Sequence, residues 1–502
     1  MTNNLNRRQF LSKAGVGLAA ISLPQLAHSG IFGKKSKSGD RPNIVLIMSD
    51  DVSPDLYGCY GNSEVKTPHI DRIAREGVQF DTAWSSAICS PTRAMIMTGR
   101  YANRTGFYHN NFKYPVAKNS EDLHAHHHSF GKLAKQAGYA TAIAGKWHLG
   151  RGTPYSETGG FEEYCLWESK GEIKKLQGSP KHKGAWEDEA TTARYWHPGI
   201  IQNHKLLDTK PDDYGPQIFT DFVCDFMERN KKGPFLAYYP MVAPHGTRKG
   251  PATTPLRGKQ GEIGGGLESG EKQARFAAMN EYIDVLVGQI IKKAEDLDIL
   301  DNTIIIYCSD NGTGSTAKSR GVERGCRVPF VAFGGPVKQR GLTAEMTDLS
   351  DILPTVVEYA GGDLPRGYEV DGKSLKPFFN GDSDAHRDWI YSAVGTTQLM
   401  RTRRYLLEAL NPILDMPKGR FYDCGDSRDG HGYKNVSDSS DPDVLKARKY
   451  FEKVLEQYPP IQAADPFFKT KKGKKVWKYF SNEKYARKHL HNHRDYQFYD
   501  EG

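Results

Sequence analysis

Asn43-Ile44-Val45-Leu46-Ile47-Met48, running into Ser49-Asp50-Asp51, is a near-continuous apolar run that stops on two carboxylates. A run without polar alternation reads as a strand buried on both faces, as in a parallel sheet covered by helices. Three further runs share the plan. Ala140-Thr141-Ala142-Ile143-Ala144 leads into Gly145-Lys146-Trp147-His148, and Phe235-Leu236-Ala237-Tyr238-Tyr239 leads towards Pro244-His245. Thr303-Ile304-Ile305-Ile306-Tyr307-Cys308 leads into Ser309-Asp310-Asn311-Gly312. Helical spacing lies between them, over residues 70–76, 129–137, 217–228 and 274–294. Alternating strands and helices predict an α/β fold with a large, mostly parallel central sheet sandwiched by helices. In such folds ligands gather beyond the carboxyl ends of the strands. The polar residues that close the four runs all fall at that edge.

After about residue 377 the pattern changes to short strand candidates at 389–394, 398–400, 405–409 and 421–422, then an amphipathic helix at 442–458. This predicts a smaller C-terminal antiparallel sheet with one packed helix. A chain of 502 residues suits that division into two domains, 40–377 and 378–459. The stretch 258–272 is glycine-rich and reads as a loop. The tail 460–502 is basic and aromatic. Ten Lys or Arg face the single acid Glu483 between Lys469 and Arg494, within a net charge of +9. Such a tail suits a polyanion or serves as a solvated extension. No nucleic-acid partner is expected.

Residues 1–29 read as a targeting peptide. Asn6-Arg7-Arg8-Gln9-Phe10-Leu11 is a twin-arginine motif, followed by a mildly apolar stretch and by Ala27-His28-Ser29 as a cleavage site. A twin-arginine translocase as partner and a periplasmic or secreted bacterial protein follow. No internal apolar run reaches the roughly 18 to 20 residues of a membrane span, and no stable membrane anchor is expected. The cysteines (Cys59, Cys89, Cys165, Cys224, Cys308, Cys326 and Cys424) lack the paired spacings of zinc ribbons or small disulfide frameworks.

Three clusters carry chemistry. Asp50-Asp51 and Asp310-Asn311 offer hard oxygen ligands with no imidazole or thiolate among them, a set suited to one Ca²⁺ or Mg²⁺ ion. Lys146 and His148 stand two apart at a strand end, so in extended backbone they share a face. In Cys89-Ser90-Pro91-Thr92-Arg93, Ser90 reads as an N-cap and Pro91 as the first helical residue. That places Cys89 at a helix mouth, where amide donors, the dipole and Arg93 would polarise its thiol.

Cys89-Ser90-Pro91-Thr92-Arg93, continuing to Thr98-Gly99-Arg100, resembles the signature of type I sulfatases, with Thr92 where many members have serine. Gly138-Tyr139-Ala140-Thr141-Ala142-Ile143-Ala144-Gly145-Lys146-Trp147-His148 resembles the second signature of that family. Lys318, five residues before Glu323, and His245 after Pro244 match further family positions, although Arg324 interrupts the usual glycine pair. The resemblance implies the alkaline-phosphatase-like fold and a sulfuric ester hydrolase in which Cys89 is converted to formylglycine. It implies Asp50, Asp51, modified Cys89, Asp310 and Asn311 as ligands of Ca²⁺ or Mg²⁺. Lys146, Lys318 and Arg93 would neutralise the sulfate oxygens, His148 would act as base, and His245 or Lys318 would protonate the leaving oxygen. A formylglycine-generating or anaerobic sulfatase-maturating enzyme would be a partner, and a sulfated carbohydrate the substrate. The alternatives are a phosphonate monoester or phosphodiester hydrolase on the same fold, and a non-catalytic sulfated-glycan-binding protein.

Other residues are weaker candidates. His124-Ala125-His126-His127-His128 lacks a carboxylate frame for a metal and reads as a solvated loop and helix start. Arg401, Arg403 and Arg404 are placed where a small C-terminal unit could overhang the pocket. Trp84, Tyr108 and His109 lie near Cys89 in sequence and could shape a sugar pocket.

Overall fold

The computed structural model describes residues 41–110, 123–149, 159–167, 193–247, 251–255, 269–313, 317–411, 417–427, 430–459, 469–471 and 474. The expected targeting peptide, residues 1–29, and nearly all of the basic tail lie outside them.

Alternate side chains of the first strand enter two different cores. Ile44, Leu46 and Met48 pack into one cluster, Val45 and Ile47 into another, and all five are essentially inaccessible to solvent. The first cluster draws on the helices Cys89–Thr98, Phe130–Gln136 and Ile352–Ala360; the second draws on Pro68–Glu76, Gly215–Asn230 and Ser269–Asp296. Helices therefore cover both faces of the sheet, which is why the strand lacks polar alternation. Each buried Ile, Leu or Val contributes roughly 1.5–3 kcal/mol relative to exposure.

The strands are β1 (Asn43–Ser49), β2 (Val78–Trp84), β3 (Ala140–Gly145), β4 (Glu163–Trp167), β5 (Ile200–Gln202), β6 (Lys205–Leu206), β7 (Phe235–Pro240), β8 (Thr303–Ser309), β9 (Phe330–Phe333) and β10 (Gly341–Asp348). They form one sheet in the order β10-β2-β9-β8-β1-β7-β3-β4-β5-β6. The central strands β8, β1, β7 and β3 are mutually parallel, with Ser49 opposite Ser309 and Met48 opposite Pro240. β9 runs antiparallel between β8 and β2, and β5 and β6 extend the far edge antiparallel. The sheet is mixed but mostly parallel, as expected.

A second, antiparallel sheet follows in the order β11 (Trp389–Val394), β12 (Thr397–Thr402), β13 (Tyr405–Leu410), β14 (Arg420–Asp423) and β15 (Lys434–Asn435). The helix Pro442–Leu455 packs on it through Phe451, whose ring meets Phe421 edge-on at 5.1 Å. That helix ends three residues before the expected position 458. Ile390, Leu399, Leu406 and Tyr422 of the small sheet share a cluster with Trp84, Cys326 and Met346 of the large body. The described residues accordingly fall within one compact unit, Lys35–Gly502.

Two expectations need correcting. The glycine-rich stretch 258–272 is not all loop, because the helix Ser269–Asp296 already includes its last four residues. The histidine run is not simply solvated: His127 is buried and its Nδ1 lies 3.2 Å from Arg100. Among the described residues, no helix is long and apolar enough to cross a membrane.

Candidate active site

The ends of β1, β3 and β8, the loop after β7 and one buried helix converge at a single place. Asp50 and Asp51 leave β1, and Asp310 and Asn311 leave β8 beside them. The backbone locks the two turns together: Asp310 N donates to Ser49 O (3.0 Å), and Asp51 N donates to Asp310 Oδ1 (3.1 Å). Cys89 opens the helix Cys89–Thr98, and its Sγ lies 3.5 Å from Asp50 Oδ1 and 3.8 Å from Asp51 Oδ1. One ligand atom from each of Asp50, Asp51, Cys89 and Asp310 falls within 4.8 Å of the others.

Cations ring this acidic group. Lys146 Nζ lies 2.5 Å from Asp50 Oδ2, and Lys318 Nζ lies 2.7 and 2.9 Å from the two oxygens of Asp51. Arg93 donates one N–H to Lys146 O (2.8 Å) and another to Asp310 Oδ2 (2.8 Å). The sharp exit from β3 is what aims Lys146. Gly145 has φ +113°, and a Cβ there would sit 2.1 Å from Pro240 O, while Lys146 N donates to that same oxygen (2.7 Å). Only glycine fits a positive φ with so close an approach of another chain segment.

Both histidines border the cluster. His245 follows the cis peptide Ala243-Pro244, and its Nε2 lies 3.6 Å from Asp51 Oδ2. His148, at φ +54°, has Nδ1 3.5 Å from Ser90 Oγ, and Ser90 Oγ donates to His148 O (2.8 Å). The catalytic and metal-ligand candidates are thus brought together: Asp50, Asp51, Cys89, Arg93, Lys146, His148, His245, Asp310, Asn311 and Lys318.

Electrostatics divides them into roles. Burial alone would raise the Asp50 carboxyl, but Lys146, His245, Arg93 and Lys318 outweigh it and hold the group well below the usual carboxylate range. Asp310 goes the other way, to about 6, because burial and Asp50 overcome Arg93 and Lys146. Burial, with Lys146 and Arg93, drives the His148 imidazole well below its ordinary value. Desolvation pulls His245 down to about 4 against the carboxylates of Asp51 and Asp50. Both rings are neutral near pH 7.

The expectation of a polarised thiol fails. Burial and Asp310 push the Cys89 thiol up to about 12, more than Lys146 and Lys318 lower it. A helix terminus cannot ionise a thiol that is shut off from solvent and faces carboxylates. Ser90 is not the N-cap either: Ile88 holds that position, Pro91 is the third helical residue, and the Ser90 hydroxyl is spent on His148. Among the weaker candidates, Arg401 does not overhang the cluster; it is fully buried against Glu323 and Tyr433. Arg403 and Arg404 pair with Glu345 and Asp423. Trp84 is fully buried and donates to Glu323, so it lines no pocket; Tyr108 lies in the core.

Arg194 is a neighbour that the sequence alone did not mark. Its Nη1 lies 3.2 Å from His245 Nδ1, and its guanidinium stacks over Trp167 at 4.3 Å. No motif announces it, because it reaches the site across a distant loop.

The donor set fits a hard divalent cation. Asp50, Asp51, Asp310 and Asn311 offer oxygen. Asn311 Oδ1 is buried without a hydrogen-bond partner, while Nδ2 donates to Asp51 Oδ1 (2.7 Å) and Gly312 O (2.9 Å). Turning that amide over brings its oxygen to the Asp51 side, as a cation there would require.

Known proteins share sequence and fold with this chain. The N-acetylglucosamine-6-O-sulfatase of Bacteroides thetaiotaomicron is 25% identical over 468 residues, covering 74% of this chain and 76% of that protein. The crystal structure of Ps i-CgsB superposes with a TM-score of 0.65 at 22% identity, over 89% of this chain and 99% of that one. A phosphonate monoester hydrolase from Silicibacter pomeroyi shares the fold, with a TM-score of 0.59 at 17% identity, over 84% of this chain and 97% of that one. The family model described as Sulfatase matches residues 42–362, the span that contains every residue of the cluster, and the chain therefore belongs to the sulfatase family.

Proposed function

We propose that this sulfatase removes sulfate from a sulfated carbohydrate, with residue 89 acting as formylglycine and with one Ca²⁺ or Mg²⁺ ion held by Asp50, Asp51, Asp310, Asn311 and residue 89. The observation that carries this reading is the gathering of three carboxylates and Cys89 within 4.8 Å, ringed by Arg93, Lys146 and Lys318. The carbohydrate substrate rests on the named activity of the Bacteroides relative.

An ion held by Asp50, Asp51, Asp310 and Asn311 would supply Lewis-acid charge to the site. Formylglycine at residue 89, as its hydrate, would supply one hydroxyl to attack sulfur and a second whose deprotonation re-forms the aldehyde and expels the sulfate carried on the first. The chain's own groups do the rest. Lys146, Lys318 and Arg93, which rest on the carboxylates of Asp50, Asp51 and Asp310, would neutralise charge on the equatorial sulfate oxygens. His148, neutral and beside the start of the Cys89 helix, takes the proton of the second hydroxyl. His245 or Lys318 gives a proton to the departing alcohol oxygen. A thiol raised to about 12 makes a poor nucleophile, which favours conversion of Cys89 over direct use of its sulfur.

The wider organisation is part of the proposal. Residues 1–29 direct twin-arginine export to the periplasm or beyond, after a formylglycine-generating or anaerobic sulfatase-maturating enzyme has acted. Residues 40–377 form the catalytic domain, 378–459 a smaller C-terminal one and 460–502 a basic tail. Mass spectrometry of the peptide containing residue 89 is expected to show the aldehyde, and Cys89→Ser to lose turnover of a sulfate ester by at least about 10³-fold. An unmodified thiol in active enzyme would end this account. Faster hydrolysis of an aryl phosphodiester or phosphonate than of an aryl sulfate would assign the phosphoester alternative. Glycan binding without turnover would assign a non-catalytic role.

A further inference from the structure

The segment that carries Lys318 is pinned by the small sheet as well as by the large one. Ala409 N on β13 donates to Gly321 O (2.8 Å), and Glu323 N donates to Glu408 Oε2 (3.0 Å), also on β13. Gly321 lies so close to β12 that a Cβ would fall 2.2 Å from Thr397 Cγ2. Arg401 of β12 completes the clamp. It is fully buried, and its guanidinium donates to Glu323 Oε1, to Tyr433 Oη and to Ser427 O (3.1 Å). Trp84 Nε1 shares the same Glu323 oxygen at 3.3 Å.

The same segment then turns to the nucleophile loop. Ser319, at φ +64°, donates its N–H to Ala87 O (2.6 Å), and Ser86 Oγ donates to Ala393 O of β11 (2.8 Å). Lys318 therefore hangs between the small sheet and the entrance to Cys89, with its ammonium on Asp51. A buried ion pair adds little net stability over apolar residues of the same shape, so its contribution here is orientation. A planar fork with three fixed acceptors sets direction as an ammonium cannot.

We infer that Arg401 is a positioning residue for the sulfatase reaction: by holding Glu323 against the small sheet it fixes where Lys318 presents its ammonium. The inference rests on the proposed role of Lys318 at the sulfate.

The test is a double-substitution cycle in full-length, matured, metal-loaded enzyme. Arg401→Lys and Arg401→Met are each made alone and combined with Lys318→Met, and kcat/KM is measured on an aryl sulfate, whose good leaving group keeps the slow variants measurable. Melting temperature is recorded for each. With Lys318 present, loss of the fork is expected to lower kcat/KM about tenfold or more. With Lys318 already removed, the same change is expected to cost less than about twofold, since a residue acting through another then has nothing to act on. Equal losses in both backgrounds would overturn the inference, as would an Arg401→Lys enzyme with unaltered kcat/KM and a lowered melting temperature. If Arg401→Met fails to fold, Arg401→Lys carries the comparison, because it retains a charge opposite Glu323. Full activity in Lys318→Met would instead remove the proposed role of Lys318, and the two failures are told apart by that single variant.

Discussion

His245 stands in an environment that costs it its proton. Its folded value of about 4 lies below the ordinary 6.5, so between these values the unfolded chain binds the extra proton. Stability from this group is therefore present above pH 6.5 and is lost as pH falls towards 4. In metal-free protein, His245→Asn is expected to melt with a smaller drop between about pH 7 and about pH 4.5 than the unsubstituted chain. Equal drops, measured by differential scanning calorimetry, would show that His245 does not carry this pH dependence. His148 shifts in the same direction for a related cause, burial beside Lys146 and Arg93. The two rings differ in what they face. His148 lies at the Ser90 end of the cluster and His245 at the Asp51 end.

At the scale of elements, the strand ends do the positioning. Gly145→Ala places a methyl 2.1 Å from Pro240 O at a φ of +113°, so both the β3 exit and its contact with β7 must shift. The expected cost is about 2 kcal/mol or more in denaturant unfolding, with a fall in kcat/KM through displaced Lys146. Unaltered kcat/KM would mean that the exit from β3 is not what aims that lysine. The four central strands were legible because burial on both faces removes polar alternation, and their closing residues were legible because chemistry there needs acids and cations. β2, β9 and β10 were not. Val78–Trp84 mixes Gln79, Asp81 and Thr82 into its run, and Gly341–Asp348 begins at an exposed sheet edge. Arg401 was legible as a cation, but its partners are not. Glu323 lies 78 positions away, so only the folded chain shows an internal clamp where the sequence suggests a residue overhanging the pocket. The state of the Cys89 thiol is illegible in the sequence for a similar reason: a helix start is local information, whereas burial and Asp310 are not.

For the whole molecule, three buried carboxylates at one sheet edge tie stability to ion binding. Lys146, Lys318 and Arg93 compensate much of that charge in the ion-free state, so chelation should loosen the fold without abolishing it. Adding Ca²⁺ or Mg²⁺ at about 100 times Kd to chelator-treated protein is expected to restore about 2.7 kcal/mol. A melting temperature indifferent to both chelator and added cation would speak against an ion at the cluster. The ion that restores more stability and activity identifies the physiological one.

The depth of residue 89 imposes an order of events in the cell. It has no exposed surface, and every residue of its helix from Cys89 to Thr98 is buried. Another enzyme's active site cannot enclose a side chain that the finished fold has already closed over. On the proposed chemistry, conversion belongs to the interval between synthesis and folding, and a chain that folds too early is permanently inactive. On the proposed twin-arginine route, which carries folded cargo, the decision between a working and a barren enzyme would fall before export.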